Sequence, residues 1–253
     1  MSTGAGMAIA ALFGALIGSF FNVVIWRLPR GESLNHPRSH CPKCQTQLKP
    51  WENLPIVSWL VLRGRCRTCG EKISARYPLV EALTALSFAA VVLAYGADRD
   101  VWLPLVFVGL LIPIAFIDFD HRIIPNKLTL LGAILAIALL IGLDRDALVE
   151  HLIAGAAAGL FFLVAAIAYP AGMGMGDVKL AGVMGLFLGR AVGPALLMAL
   201  LLGTVVGVAI IARKGSAEGR KTAVPFGPFL ALGGFIAVFA GDEIVDWYLD
   251  NFV

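Results

Sequence analysis

Two aspartates and four cysteines are the residues of this sequence whose types and spacing could do chemistry. Asp118 closes the apolar run 111–117 and opens Asp118-Phe119-Asp120-His121-Arg122-Ile123-Ile124-Pro125-Asn126. Asp177 sits in Gly172-Met173-Gly174-Met175-Gly176-Asp177-Val178-Lys179, at the entry to another apolar stretch. Two carboxylates that share a site cannot both ionise comfortably, so one keeps its proton near neutral pH. The ionised member can take a proton from a bound water while the protonated member polarises a carbonyl, which is the chemistry of peptide hydrolysis. Such a pair titrates as a unit, so neither residue has a fixed acid or base role. Gly174 and Gly176 leave backbone free of side chains, which suits close approach of an extended substrate. Spacing alone leaves a second reading open: Asp118 and Asp120 as solvated carboxylates flanking an apolar segment, and the glycines as a plain loop. A nucleotide-binding reading of the glycines fails because no strand precedes them. Lys179 is either a snorkelling cation or a partner of Asp177, and His121 reads as an interfacial side chain.

The cysteines form two pairs, Cys41-Pro42-Lys43-Cys44 and Cys66-Arg67-Thr68-Cys69, with 21 residues between them. Two such knuckles at this separation predict a four-thiolate zinc site. A closed site of this kind is structural. A surrounding segment of about 50 residues holds little core and gains most of its folding free energy from the metal. Trp51, Trp59 and Tyr77 in the same segment make either an amphipathic surface lying on a membrane or the core of the small module.

The elements that must position these residues are legible from composition. Of 253 residues, 59% are apolar and 15% charged, with mean hydropathy +0.85, far more apolar than a soluble domain. The apolar residues gather in blocks near the roughly 20 residues that a helix needs to cross a bilayer: 7–26, 79–95, 101–117, 128–143, 150–169, 178–190, 191–212 and 225–240. The first has no preceding basic residue and no small-residue cleavage site, so it reads as a retained span and not a signal peptide. The sequence thus predicts an all-α polytopic membrane bundle of about eight spans, with Gly-rich segments suited to close helix packing. Its divisions are a first span (1–26), a cytoplasmic zinc-binding insertion (27–77) and a helical bundle (78–253).

Basic residues set the orientation. The alternating segments 27–77, 118–127, 170–179 and 213–224 hold 17 of the chain's 20 Lys and Arg. The opposite side keeps Arg99, Arg145 and Arg190 and collects Asp98, Asp100, Asp144, Asp146, Glu150, Asp242, Glu243, Asp246 and Asp250. The first set is therefore expected in the cytoplasm, both termini outside, and Asp118 and Asp177 at one cytoplasmic face. Cytoplasmic thiols stay reduced, which favours zinc over disulfides. The net charge of +3 is too small to argue for nucleic acid.

Asp118 with Ile124-Pro125 following, together with Gly174-Met175-Gly176-Asp177-Val178-Lys179, resembles the two signatures of the type IV prepilin peptidases, GxGD-type aspartyl proteases. Gly18-Ser19-Phe20-Phe21-Asn22-Val23-Val24-Ile25 and Pro225-Phe226-Gly227-Pro228-Phe229-Leu230-Ala231 look like the family's first and last spans, so the resemblance covers nearly the whole chain. It implies a bacterial inner-membrane enzyme that cuts the basic leader from prepilins or type II secretion pseudopilins, after a Gly and before a residue that is usually Phe. It also implies N-methylation of the new amino terminus by S-adenosylmethionine, with the cysteine-bearing loop tied to that activity. By the same resemblance the catalytic pair is Asp118 and Asp177, with Asp120 a frequent neighbour. Asn126 departs from the pattern, since many relatives carry Asp after the Pro. No glycine-rich adenosylmethionine motif is visible. A transporter would need polar residues through several spans, whereas Glu81 stands nearly alone. A zinc-bearing scaffold without activity would leave the two aspartates on one face unexplained.

Overall fold

The computed structural model describes residues 3–169, 173–215 and 224–252. Among these the chain is almost wholly helical, with no strand beyond two isolated bridges, His40 to Gln47 and Arg65 to Lys72. The helices are α1 (Thr3–Arg27), a short α2 (Val57–Val61), α3 (Arg76–Tyr95), α4 (Trp102–His121), α5 (Asn126–Leu143), α6 (Leu148–Ala168), α7 (Met175–Leu188), α8 (Val192–Lys214) and α9 (Gly227–Phe252). Gly172 of the glycine segment and part of the basic stretch 213–224 lie outside the described residues.

Among the described residues, seven segments are long and apolar enough to cross a membrane, against about eight expected. The difference lies in Met175–Lys214, which counts once although a single 3-10 turn, Gly189–Ala191, divides it into α7 and α8. The 14 residues of α7 rise only about 21 Å, short of a full hydrocarbon core. Large apolar side chains point outward along the helices, among them Leu130, Ile134 and Ile141 of α5, which is the surface a bilayer would cover.

The chain divides into two compact units, residues 1–101 and 102–253. In the first, α1 and α3 pack side by side through small residues. A Cβ on Gly14 would come within 2.8 Å of the Thr84 carbonyl, and one on Gly18 within 2.8 Å of Glu81 Cα. Asn22 Nδ2 donates to the Tyr77 carbonyl at 3.1 Å, which pins the C-terminal end of α1 to the N-terminal end of α3.

In the second unit α6 and α7 approach so closely that a Cβ on Gly185 would lie 2.5 Å from Gly155 Cα. Gly233 of α9 likewise has no room for a Cβ against the Ala195 carbonyl of α8. The Gly-rich composition thus serves backbone-to-backbone packing, which drives helix association where lipid offers no hydrophobic contrast. One end of this unit carries Arg190, paired with Asp242 at 3.1 Å and Asp246 at 2.7 Å, and Glu150, which accepts the Arg190 amide at 3.1 Å. The other end carries the aspartates.

Candidate active site and candidate metal centre

Asp118 lies in the last turn of α4 and is only 5% exposed. Its helix ends on Arg122, whose φ of 55° puts a non-glycine residue in the left-handed region and whose amide donates to the Asp118 carbonyl at 2.8 Å. The cost, about 1 kcal/mol, turns residues 123–125 back over the bundle end. There Ile124 packs on Gly176, where a Cβ would sit 3.0 Å from Ile124 Cβ. Asn126, the first residue of α5, accepts a hydrogen bond from Lys179 Nζ at 2.9 Å. The link after Asp118 and the start of α7 are thereby held together, and Asp177 is on that first turn.

Each carboxylate also meets a backbone amide. Asp177 Oδ2 accepts from the Gly174 N–H at 3.0 Å, a capping contact across the first turn of its own helix. Asp118 Oδ2 accepts from the Gly227 N–H at 2.9 Å, at the first residue of α9. Both groups therefore sit against the partial positive charge of a helix N-terminus, and the charge of Asp118 acts on Asp177. Asp120, two residues on, is exposed.

Of the residues singled out in the sequence, Asp118, Asp177, Gly174, Gly176 and Lys179 all gather at this end of the unit. Lys179 reaches Asn126, the position where the sequence departs from the family pattern. Gly227 was not among the sequence's candidate site residues. A Cβ there would lie 2.8 Å from Asp118 Oδ2, so glycine is what allows the amide to approach. The signal was present in Pro225-Phe226-Gly227-Pro228, a helix start with proline just inside it.

The four cysteines converge in the first unit, with all sulfurs within 4.8 Å of one another. Cys41 and Cys69 Sγ are 3.8 Å apart, and Cys44 and Cys66 Sγ 4.0 Å. Tetrahedral zinc with bonds of about 2.3 Å sets sulfurs about 3.8 Å apart, so the donor set fits that ion. The two knuckles repeat one backbone design. The Cys41 amide donates to the Thr46 carbonyl, and the Gln45 amide to the Cys41 carbonyl. The Cys66 amide donates to the Glu71 carbonyl, and the Gly70 amide to the Cys66 carbonyl. Gln45 and Gly70, each four residues past the first cysteine of its pair, both have positive φ. Lys43 and Glu71 form an ion pair between the knuckles.

Hydrogen bonds from Thr46 hold the Cys44 thiol down at about 6, and the amides of Cys69 and Thr68 lower Cys66. At Cys69 the Glu71 amide pulls the other way, yet loss of hydration and the crowded neighbouring sulfurs push the thiol up to about 12. Four thiols this close cannot all ionise unless a cation joins them. Trp59 belongs to the module's core: its Nε1 donates to the Ile73 carbonyl at 3.1 Å and its ring covers Gly64. Trp51 and Tyr77 face outward.

Fold and site together define a polytopic helical membrane protein with two aspartates at one end of its second unit and a four-cysteine module that could hold a metal ion. The bacterial peptidase A24 N-terminal domain family matches residues 12–95, and the type IV leader peptidase family matches residues 105–212. A protein of Aeromonas hydrophila named prepilin leader peptidase/N-methyltransferase is 37% identical over 97% of this chain and 94% of its own length. One of the same name from Bacillus subtilis strain 168 is 36% identical over 96% of this chain and 98% of its own. A Myxococcus xanthus relative of that name is 43% identical over 83% of this chain and 64% of its own. The chain belongs to the type IV leader peptidase family. No solved structure matches it.

Proposed function

We propose that this protein cleaves the basic leader from prepilins or type II secretion pseudopilins, using Asp118 and Asp177, and then methylates the new amino terminus with S-adenosylmethionine. The observation that carries the reading is that both aspartates lie at one end of the second unit. Each rests one oxygen on a helix N-terminal amide, and the charge of Asp118 acts on Asp177. The names of the relatives point to the same activities.

The dyad holds one proton and a water. The ionised carboxylate takes a proton from the water as its oxygen attacks the scissile carbonyl, and the protonated carboxyl donates to that carbonyl's oxygen. Collapse of the tetrahedral intermediate breaks the C–N bond, and the proton passes to the leaving amine. The amides of Gly174 and Gly227 keep the carboxylates oriented. The space expected at Gly176 for an extended substrate is taken by Ile124, so that glycine serves the packing of α7 on the link after Asp118, and Lys179 fixes the first turn of α7 through Asn126. S-adenosylmethionine, when bound, would supply the methyl group that the freed amine accepts.

Cys41, Cys44, Cys66 and Cys69 would hold one zinc ion, which cross-links the insertion 27–77 and supports methyl transfer. Leader cleavage belongs to the bundle 78–253. The insertion and both aspartates face the cytoplasm of a bacterial inner membrane, and the acidic end with Arg190 faces outward. The excess of basic residues in the first set of segments supports this orientation. Incubating the purified protein with a prepilin and S-adenosylmethionine, then weighing the product, tests the proposal. Loss of the leader plus one added methyl group is expected. An intact prepilin would refute the peptidase reading, and cleavage without the added methyl would confine the protein to peptidase work.

A further inference from the structure

One helix of the cysteine module shows its apolar side to the outside. In α2, Trp59 faces inward, while Leu54 just before the helix and Val57, Leu60 and Val61 are all about half exposed or more, between 49% and 70%. At 3.6 residues per turn Val57, Leu60 and Val61 share the side of α2 opposite Trp59. Immediately after α2 comes a groove of about 510 Å³, lined by Trp59, Arg63, Arg65, Lys72 and Ser74.

The depth of α2 is fixed by a buried carboxylate that the peptidase chemistry does not use. Glu81, 7% exposed, accepts a hydrogen bond from the Ile56 amide at 2.7 Å. Ile56 has φ 61° and ψ −51°, and the Val57 amide reaches back to the Pro55 carbonyl at 2.5 Å. This is a γ-turn of the rare positive-φ kind, a strained conformation that persists only where its surroundings over-determine it. Glu81 is five residues into the membrane-spanning α3, whose span begins at Arg76, and is thus about 7–8 Å below that helix's start. The start of α2 is therefore held beside the second turn of a transmembrane helix. Interfacial amphipathic helices bury their apolar face about 5–10 Å into the headgroup–acyl boundary.

We propose that α2 is a lipid-bound foot of the cysteine module. Leu54, Val57, Leu60 and Val61 rest in the headgroup–acyl boundary of the protein's own bilayer, and Arg63, Arg65 and Lys72 take the phosphates of anionic phospholipids. Three features select lipid as the occupant. The module is tethered at both ends by the spans α1 and α3, which are clasped by Asn22 and Tyr77. Glu81 sets α2 at interfacial depth. Residues 27–77 carry 10 Lys and Arg against 3 Glu, which complements an anionic surface. The inference stands apart from the chemistry of the aspartates.

The test uses full-length protein in vesicles of phosphatidylglycerol and phosphatidylethanolamine, with photo-reactive benzoylphenylalanine placed at position 60 or, as control, at position 43 on the first knuckle. Irradiation should give lipid adducts at 60, detected by mass, and at least tenfold fewer at 43. The variant Glu81→Leu should lower the adduct yield at 60 several-fold, because α2 loses its depth anchor. Joint replacement Arg63→Gln, Arg65→Gln and Lys72→Gln should lower the phosphatidylglycerol share of co-purified lipid. Cross-links from 60 into residues 102–253, or equal adducts at 60 and 43, would overturn the proposal. So would an unchanged lipid share in the triple variant.

Discussion

The amide of Gly227 donates to Asp118 Oδ2 at 2.9 Å across 109 residues of sequence. The two residues lie at the end of one helix and the start of another. A buried carboxylate without such a donor would carry an unpaid desolvation cost. The approach depends on the missing side chain, since a Cβ at 227 would sit 2.8 Å from that oxygen.

Gly227→Ala should therefore displace the Asp118 carboxylate and lower leader cleavage at least tenfold, with the helical content kept. Gly207→Ala is the matched control, because nothing lies within 4 Å of a Cβ there and alanine favours a helix interior by about 1 kcal/mol. Initial cleavage rates and circular dichroism on the two variants make the comparison. Equal rates would remove Gly227 from the site.

Gly185→Ala should act on stability instead. The added Cβ would meet Gly155 Cα at 2.5 Å and the Ala154 backbone at 2.6 Å, and backbone cannot swing aside as a side chain can. Overpacking of this kind costs about 1–3 kcal/mol. Thermal unfolding in detergent should show a lowered midpoint, and an unchanged midpoint would mean that α6 and α7 are not so tightly apposed.

How much of this was legible in the sequence depended on the kind of interaction. The spans were, because bilayer thickness imposes a length on every apolar block. The boundary between α7 and α8 was placed within a residue or two, at Gly189–Ala191, yet whether those helices count as one span or two was not. Both cysteine knuckles were legible because ligand spacing is local. The anchors of the aspartates were not. The Gly227 amide, Ile124 on Gly176 and the Lys179 bond to Asn126 join distant segments through backbone groups or bland side chains, and periodicity carries no trace of such pairings. The sequence fits Trp59 to a membrane surface or to the module's core alike; its bond to the Ile73 carbonyl decides for core.

Cys66→Ser should release the metal and loosen residues 27–77. Its effect on methyl transfer should exceed its effect on cleavage, because metal binding is folding free energy in so small a module, whereas the bundle is held by its own packing. Metal content and the ratio of methylated to cleaved product are the two readouts on one sample. Full zinc content in the variant would sink the metal assignment, and intact methylation with lost cleavage would reverse the division of labour.

Orientation is open to impermeant thiol labelling at single introduced cysteines. Positions 98 and 242 should label from outside, and positions 122 and 214 only after permeabilisation. Strong outside labelling at 214 would overturn the assignment of sides.

Cleavage by Asp118 and Asp177 together is tested by leader removal with four purified proteins: the parent, Asp118→Asn, Asp177→Asn and Asp120→Asn. Asparagine is nearly isosteric but cannot carry the proton, so chemistry should be lost while the fold is kept. No detectable cleavage is expected from Asp118→Asn or from Asp177→Asn, each still inserted and loaded with zinc, and substantial cleavage from Asp120→Asn. An active Asp118→Asn beside an inactive Asp120→Asn would move the catalytic assignment two residues, and an active Asp177→Asn would contradict the paired mechanism itself.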